Sequence, residues 1–138
     1  PVADAAGMTE ADIQRAGEIF RACWRNLDEA VKAAQGRVLR KDSDGRGRHL
    51  EKMLRHVLQG HRLYLSELGA ETSQATDGSP QARLRAIRPV TIQALRKAAK
   101  GKLGSARARG GSWSARYFVR RAAWHILDHA WEIEDRIE

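Results

Sequence analysis

The stretch RRAAWHILDHAWEIEDR, residues 120–136, determines the fold class and raises the question of function. Its apolar residues recur at three- and four-residue spacing, which predicts an amphipathic helix with Ala122, His125, His129 and Ile133 on one face. Two histidines four apart lie one above the other on a helix, so both imidazoles can reach one metal ion. The alternative is a pair of core histidines with one hydrogen bond each. The spacing by itself leaves both interpretations open.

The rest of the chain contains three more helical patterns and no strand signal. The predicted helices run from about Glu10 to Gln35, from Arg46 or Arg48 to Leu68, over the stripe from Leu84 to Ala98, and from Ser112 or Ser114 to about Arg136. Pro89 lies inside the third pattern, so that helix is expected to kink or begin again there. Four amphipathic helices predict one domain over residues 1–138, an all-α four-helix bundle, with residues 1–8 flexible.

Charge and composition narrow the classes of function. The chain has 138 residues and a formal net charge of +8, yet residues 80–121 hold twelve Lys or Arg and no acidic residue. Such a block is typical of a surface for nucleic acid or an acidic ligand, or of a solvated helix face.

The single cysteine, Cys23, excludes an internal disulfide and favours a cytoplasmic location. No apolar run has the length of a membrane span, no signal peptide is visible, and the chain begins at Pro1 rather than Met, which leaves room for an upstream segment.

A metal site on the fourth helix needs a third ligand from elsewhere, because two side chains rarely hold a divalent ion. The other histidines are His49, His56 and His61, all on the second helix. His49 and His56 share an edge of the apolar stripe but stand two turns apart, about 10.5 Å. His61 is rotated from His56 by about 140°. Periodicity therefore favours His49 or His56 and does not choose between them.

The C-terminal stretch RYFVRRAAWHILDHAWEIEDR resembles the last helix of the DinB/YfiT-like superfamily, and LRHVLQGHRLYLSELG, residues 54–69, resembles its second helix. The order also matches, with one histidine on helix two and H-x-x-x-H on helix four. The resemblance implies an up-down-down-up bundle and a metal triad of His56, His125 and His129. Relatives often carry an acidic residue a few positions after the first histidine, whereas this chain has Gln59-Gly60-His61.

The resemblance also implies a class of chemistry. Characterised relatives include metal-dependent thiol transferases and a thiol-dependent isomerase, and homodimers are common among them. Three neutral imidazoles and a water molecule form an open site that suits zinc or nickel, with manganese or iron as alternatives. An ion there would lower the pKa of water or of an incoming thiol, so a low-molecular-weight thiol is a candidate cofactor beside a small-molecule substrate.

Four charged residues are candidates for roles around such a site. Glu132 lies one turn after His129, near the same face, and is the candidate catalytic or proton-shuttling group. Arg88, Arg116 and Arg120 are candidates for binding an anionic cofactor or an acidic substrate at the mouth of the pocket. For Arg88, a side chain that extends along the rim toward solvent is an equally good interpretation.

Trp124 and Trp131 lie seven apart, away from the histidine face. They are expected to pack within the monomer, with a dimer contact as the alternative.

Two other functions are open. One is a bundle with a structural metal and no turnover. The other is a nucleic-acid-binding protein, which the basic block favours although no known DNA-binding motif is present.

Overall fold

Four α-helices account for the secondary structure of the computed structural model, which describes residues 7–40, 50–72, 78–100 and 113–138. They are α1 (Glu10–Ala34), α2 (Leu50–Leu68), α3 (Pro80–Ala99) and α4 (Ala115–Arg136). Within those ranges the only β-type pairing is an isolated antiparallel bridge between Leu39 and Ile137. The all-α prediction is confirmed. The predicted ends of the helices agree with the observed ones within a residue, but α3 begins four residues before its predicted apolar stripe.

Side-chain caps explain where two of the helices begin. Thr9 accepts a hydrogen bond from the backbone N–H of Asp12, and the Asp12 carboxylate accepts one from the backbone N–H of Thr9, which completes a capping box. Ser114 caps α4 through the backbone N–H of Tyr117. After α1 the chain turns at Gly36, whose φ of 70° suits a residue without a side chain.

Pro89 does not divide the third helix. α3 is continuous from Pro80 to Ala99, so the predicted restart at Pro89 is wrong, and the kink stays a prediction. Proline lacks the backbone N–H that would bond the carbonyl four residues earlier, and this local loss costs a helix about 3 kcal/mol in isolation. The buried side chains of α3, among them Leu84 and Leu95, lie on both sides of the proline and hold the two halves against the core.

Contacts near the helix ends define the order of the bundle. Arg116, early in α4, pairs with Asp12, early in α1, so these helices are parallel. α2 is antiparallel to α4, because the N–H of Trp113, just before α4, donates to the carbonyl of Glu67 near the end of α2, while His56 near the start of α2 lies beside the second half of α4.

The remaining helix, α3, is parallel to α2 and antiparallel to α1. His61 of α2 bonds Thr91 of α3, and Val57 lines the same small cavity as Ile87. Arg88, in the first half of α3, pairs with Asp28, in the second half of α1. The bundle is therefore up-down-down-up, as predicted.

The core fills the space between all four helices. Its largest fully buried side chains are Phe20, Phe118, Met53, Leu65, Leu95, Ile126 and Ile133. Phe20 stacks on Trp24 and is tilted against Phe118, with centroids 5.5 and 5.9 Å apart, which joins α1 to α4. Each such side chain contributes roughly 1.5–3 kcal/mol by leaving water. None of the helices in the described ranges is long and apolar enough to cross a membrane.

Of the predicted flexible segment, residues 1–8, the structure describes only residues 7 and 8. Met8 is half-buried and packs against the core. The carbonyl of Gly7 accepts a hydrogen bond from Arg116 at 2.9 Å. Residues 7 and 8 therefore contact the bundle, and the flexibility of residues 1–8 stays a prediction.

Candidate metal centre

Three imidazole rings meet between α2 and α4. The ring centroids of His125 and His129 are 4.6 Å apart, those of His56 and His129 are 5.1 Å apart, and those of His56 and His125 are 6.4 Å apart. His125 and His129 lie one turn apart on α4, and the antiparallel packing of α2 places His56 against both. We refer to these three residues as the histidine cluster.

The histidine cluster lies at the edge of the core and reaches the surface. His129 is buried with 9% exposure, His125 is half-buried and His56 is exposed. The amphipathic pattern of α2 accounts for this gradient, since His56 lies at the edge of its apolar stripe, whereas the two α4 histidines lie on that helix's buried face. A ligand can thus approach from the side of His56.

His129 is held in one orientation by the carboxylate predicted to lie beside it. Its Nδ1 is 2.8 Å from Oε2 of Glu132, one turn further along α4. The other oxygen, Oε1, is 3.3 Å from Arg136, which holds the carboxylate in place. Because a carboxylate accepts, Nδ1 carries the proton in the neutral ring, and Nε2 then has the lone pair. This carboxylate–histidine pairing is the one that orients metal-binding histidines.

His125 packs unusually close to the backbone of α2. Its Nε2–H donates a long hydrogen bond, 3.4 Å, to the carbonyl of Val57. A Cβ placed on Gly60 would lie 2.5 Å from this Nε2, so only glycine leaves room for the ring in this position. Burial and repulsion from His129 lower the pKa of His125 to about 4, so the ring is neutral at pH 7.

The imidazole nitrogens of the histidine cluster are suitable ligands for a divalent ion. The distances between the three rings, however, match those of a metal site only in part. His125 and His129 each have one nitrogen bonded to an oxygen acceptor, which leaves the other with a lone pair. Two imidazoles on one ion at ~2.1 Å have centroids roughly 4.5–5.5 Å apart, a range that includes two of the three distances. The separation of 6.4 Å between His56 and His125 is wider. Accordingly, no group of three or more His, Cys, Asp or Glu in the described ranges is arranged to hold a metal ion as the side chains stand.

Aromatic and cationic neighbours of the cluster were not singled out from the sequence. Tyr64 meets His125 edge to face, with centroids 5.1 Å apart, and Trp113 packs on Tyr64 at 5.0 Å. The guanidinium of Arg121 lies 5.7 Å above the Tyr64 ring and disfavours protonation of His125. The helical spacing contained this signal, because Arg121 precedes His125 by one turn and shares its face.

The other histidines of the second helix take no part in the cluster. His61 is 1% exposed and belongs to the core, where its ring meets Phe118 edge to face. Thr91 Oγ1 donates to the carbonyl of Ile87 and accepts from His61 Nε2 at 2.7 Å, so Nδ1 of His61 has the lone pair. His49 lies outside the described residues, and periodicity had favoured His49 or His56.

The three candidate arginines lie in two different grooves. Arg88 lies between α1 and α3, where it pairs with Asp28. Arg116 and Arg120 line a groove between α1 and α4, Arg116 paired with Asp12 and Arg120 placed 5.4 Å above the ring of Tyr117. Neither groove is lined by the histidine cluster.

The tryptophans of α4 face solvent. Trp124 is 53% exposed and Trp131 46% exposed, and they meet edge to face with centroids 5.7 Å apart. The prediction that they pack within the monomer is therefore wrong for the described residues. α4 packs against α1 and α2, and no described helix covers the face that carries these two rings.

No protein-family model, curated protein or solved structure matches this chain. The DinB/YfiT-like resemblance stays a prediction that rests on the residues quoted for it.

Proposed function

We propose that the histidine cluster binds one divalent metal ion and that the chain is a DinB/YfiT-like, metal-dependent thiol or small-group transferase or hydrolase of the cytoplasm. The observation that carries the proposal is the meeting of His56, His125 and His129 from two antiparallel helices, with Glu132 bonded to His129. A structural cluster in the core would be sealed from water, whereas this one has an exposed member.

A neutral imidazole is the form that binds metal, and the surroundings of His125 favour that form. Burial and the neighbouring ring keep the pKa of His125 low, so no proton competes for the ring at pH 7. Three nitrogen ligands suit zinc or nickel best, with manganese or iron less favoured. To complete the site, we expect the His125 ring to leave the carbonyl of Val57, a bond that is already long at 3.4 Å.

When bound, the ion would lower the pKa of a water molecule or of a thiol and so supply a nucleophile near neutral pH. Glu132 acts as a positioning residue rather than a catalytic one, because both its oxygens are engaged, one by His129 and one by Arg136. Arg121 and Tyr64 border the cluster and are better placed than Arg88, Arg116 or Arg120 to attract an anionic thiol or substrate.

Metal analysis of protein purified without a nickel-affinity step tests the proposal. We expect about one equivalent of zinc or nickel per chain, or uptake of one equivalent on titration. His56→Ala should lower the affinity at least tenfold, because one of three ligands is lost. Gln59→Ala is the matched control, since Gln59 is also exposed on α2 and lies within a turn of His56. A chain that takes up no ion, or a His56→Ala protein that binds as tightly as the original, would refute the site.

Turnover separates catalysis from a structural metal. A panel of low-molecular-weight thiols with electrophilic acceptors should give activity that chelation removes and that returned metal restores. A metal that raises the melting temperature while no thiol or ester substrate is turned over would replace the enzyme proposal with a structural role.

The expected homodimer is a separate prediction. Trp124 and Trp131 present an apolar patch to solvent on α4, and exposed patches of large aromatics are typical of interfaces. Light scattering should give twice the mass of the chain, and Trp131→Glu should give the single mass. A monomeric chain at ~100 μM would rule out this interface.

A further inference from the structure

We propose that the groove between α1 and α3 binds a small anion that carries two or more phosphate groups. The groove has a volume of about 720 Å³. Its lining consists of Arg21, Trp24, Arg25, Arg88, Pro89, Ile92, Gln93 and Arg96. We refer to it as the arginine groove. It lies on a different pair of helices from the histidine cluster, so it is a second site.

The charge of the arginine groove is largely uncompensated. Four guanidinium groups line it, and Arg21, Arg25 and Arg96 form no ion pair with any acidic side chain in the described part of the chain. No acidic residue is among the described residues that line the groove, and Asp28 beside it is bonded to Arg88. A net charge of about +3 therefore surrounds one concave surface, which concentrates anions from solution.

Arg88 supplies a rigid element among the flexible arginines. Asp28 holds it through two hydrogen bonds, 3.0 Å to Nη1 and 2.5 Å to Nη2, and its guanidinium lies 5.6 Å above the buried ring of Trp24. A preorganised guanidinium loses less conformational freedom when a ligand binds. The exposed Arg21 and Arg25 of α1 and Arg96 of α3 then bind the anion from the two sides of the groove.

The geometry of the donors favours phosphate over a single carboxylate. A guanidinium presents two parallel N–H groups, which match two oxygens of a phosphate, and Arg21, Arg25 and Arg96 can each engage a separate phosphate group. One carboxylate would neutralise only one of about three excess charges, whereas a chain of phosphates neutralises all of them. Pro89 and Ile92 add a short apolar wall, which an attached organic group could contact.

Calorimetric titration with inorganic triphosphate tests the proposal. At ~50 mM salt we expect a dissociation constant in the micromolar range, and at least tenfold weaker binding at ~300 mM salt, because exposed charge pairs are screened. Arg21→Gln and Arg96→Gln should each weaken binding about tenfold. Arg55→Gln is the matched control: it removes the same charge from an exposed arginine on α2, and its affinity should stay within about twofold.

A metal ion at the histidine cluster could also attract triphosphate, so the titration is repeated with His56→Ala. Equal affinity in the two proteins supports the arginine groove, and loss of binding in His56→Ala alone overturns it. The proposal is also overturned if Arg55→Gln weakens binding as much as Arg21→Gln, because the anion would then sense only net charge.

Two further ligands separate the sources of the phosphate groups. A nucleoside triphosphate that binds more tightly than inorganic triphosphate supports the groove and adds the Pro89 and Ile92 wall to it. Single-stranded oligonucleotides whose affinity rises with length, while triphosphate does not bind, overturn the small-anion proposal in favour of a nucleic-acid surface.

Discussion

The two sides of α2 place the same residue type in opposite surroundings. His61 is 1% exposed in the core, and its ring N–H donates a hydrogen bond to Thr91. His56, five residues earlier, is exposed and meets two other imidazoles. A sealed histidine with one short hydrogen bond stabilises the fold, and an open cluster is able to bind a ligand. The comparison therefore separates the histidine that is sealed in the core from those for which a binding role is proposed.

The largest expected effect is on stability at His61. His61→Ala removes a fully buried ring and leaves the Thr91 hydroxyl without its donor, which should lower the free energy of unfolding by about 3 kcal/mol. His56→Ala should change it by no more than ~0.5 kcal/mol, because its ring is exposed. Urea denaturation of both variants measures the difference. Equal losses would mean that the two histidines are not distinguished by burial.

Acid should destabilise the protein through the same buried ring. Burial, and then repulsion from His125, lower the pKa of His61 to about 4, against about 6.5 in the unfolded chain. Between these values the unfolded chain binds the proton and the native chain does not, so stability is complete above pH 6.5 and falls as the pH drops toward 4. For this one residue the expected loss is about 2 kcal/mol between pH 6.5 and 5.

Denaturation at several pH values, compared with His61→Gln, isolates that loss. Glutamine keeps a donor for Thr91 but does not titrate, so the variant should lose less stability on acidification than the original protein. A pH dependence that is the same in both proteins would assign the acid sensitivity to other groups.

Helical periodicity predicted the features that depend on one helix at a time. The α4 pair His125 and His129, the position of Glu132 one turn later and the four helices themselves all follow from a spacing of 3.6 residues per turn. The choice among the α2 histidines did not, because α2 packs against both α3 and α4 and its buried arc is wide. Periodicity describes which residues share a face but not which neighbour that face meets.

Contacts between residues that are far apart in the sequence could not be predicted from the sequence alone. The pairing of Arg88 with Asp28 spans 60 residues, and it places Arg88 in a different groove from Arg116 and Arg120. The exposed tryptophans are a related case, since Trp124 and Trp131 are buried only if some element covers their face of α4. Both depend on the packing order of the helices, which composition and spacing leave undetermined.

A change at Glu132 tests the histidine cluster without removing any of its three proposed metal ligands. Glu132→Gln keeps the shape of the side chain but removes the charge that orients and polarises His129. We expect zinc affinity to fall about tenfold, at the lower end of the range for carboxylates that support metal-bound histidines, with little change in stability. Glu134→Gln, an exposed change on the same helix, is the control. Unchanged affinity in Glu132→Gln would show that His129 needs no partner to bind.

The smallest effect, and the most specific, is expected at Gly60. Both Gly17 and Gly60 lie inside helices, where alanine is favoured by about 1 kcal/mol when nothing obstructs its Cβ. At Gly17 the nearest atom to a Cβ is the mobile end of Arg21, 3.2 Å away, so Gly17→Ala should raise stability by nearly that amount.

At Gly60 the nearest atom is the His125 ring at 2.5 Å, and the ring must move to admit a methyl group. Gly60→Ala should therefore gain less than Gly17→Ala, or lose stability, and it should shift the imidazole resonances of His125 in an NMR spectrum while Gly17→Ala leaves them in place. An equal gain at both glycines would show that His125 does not rest against α2.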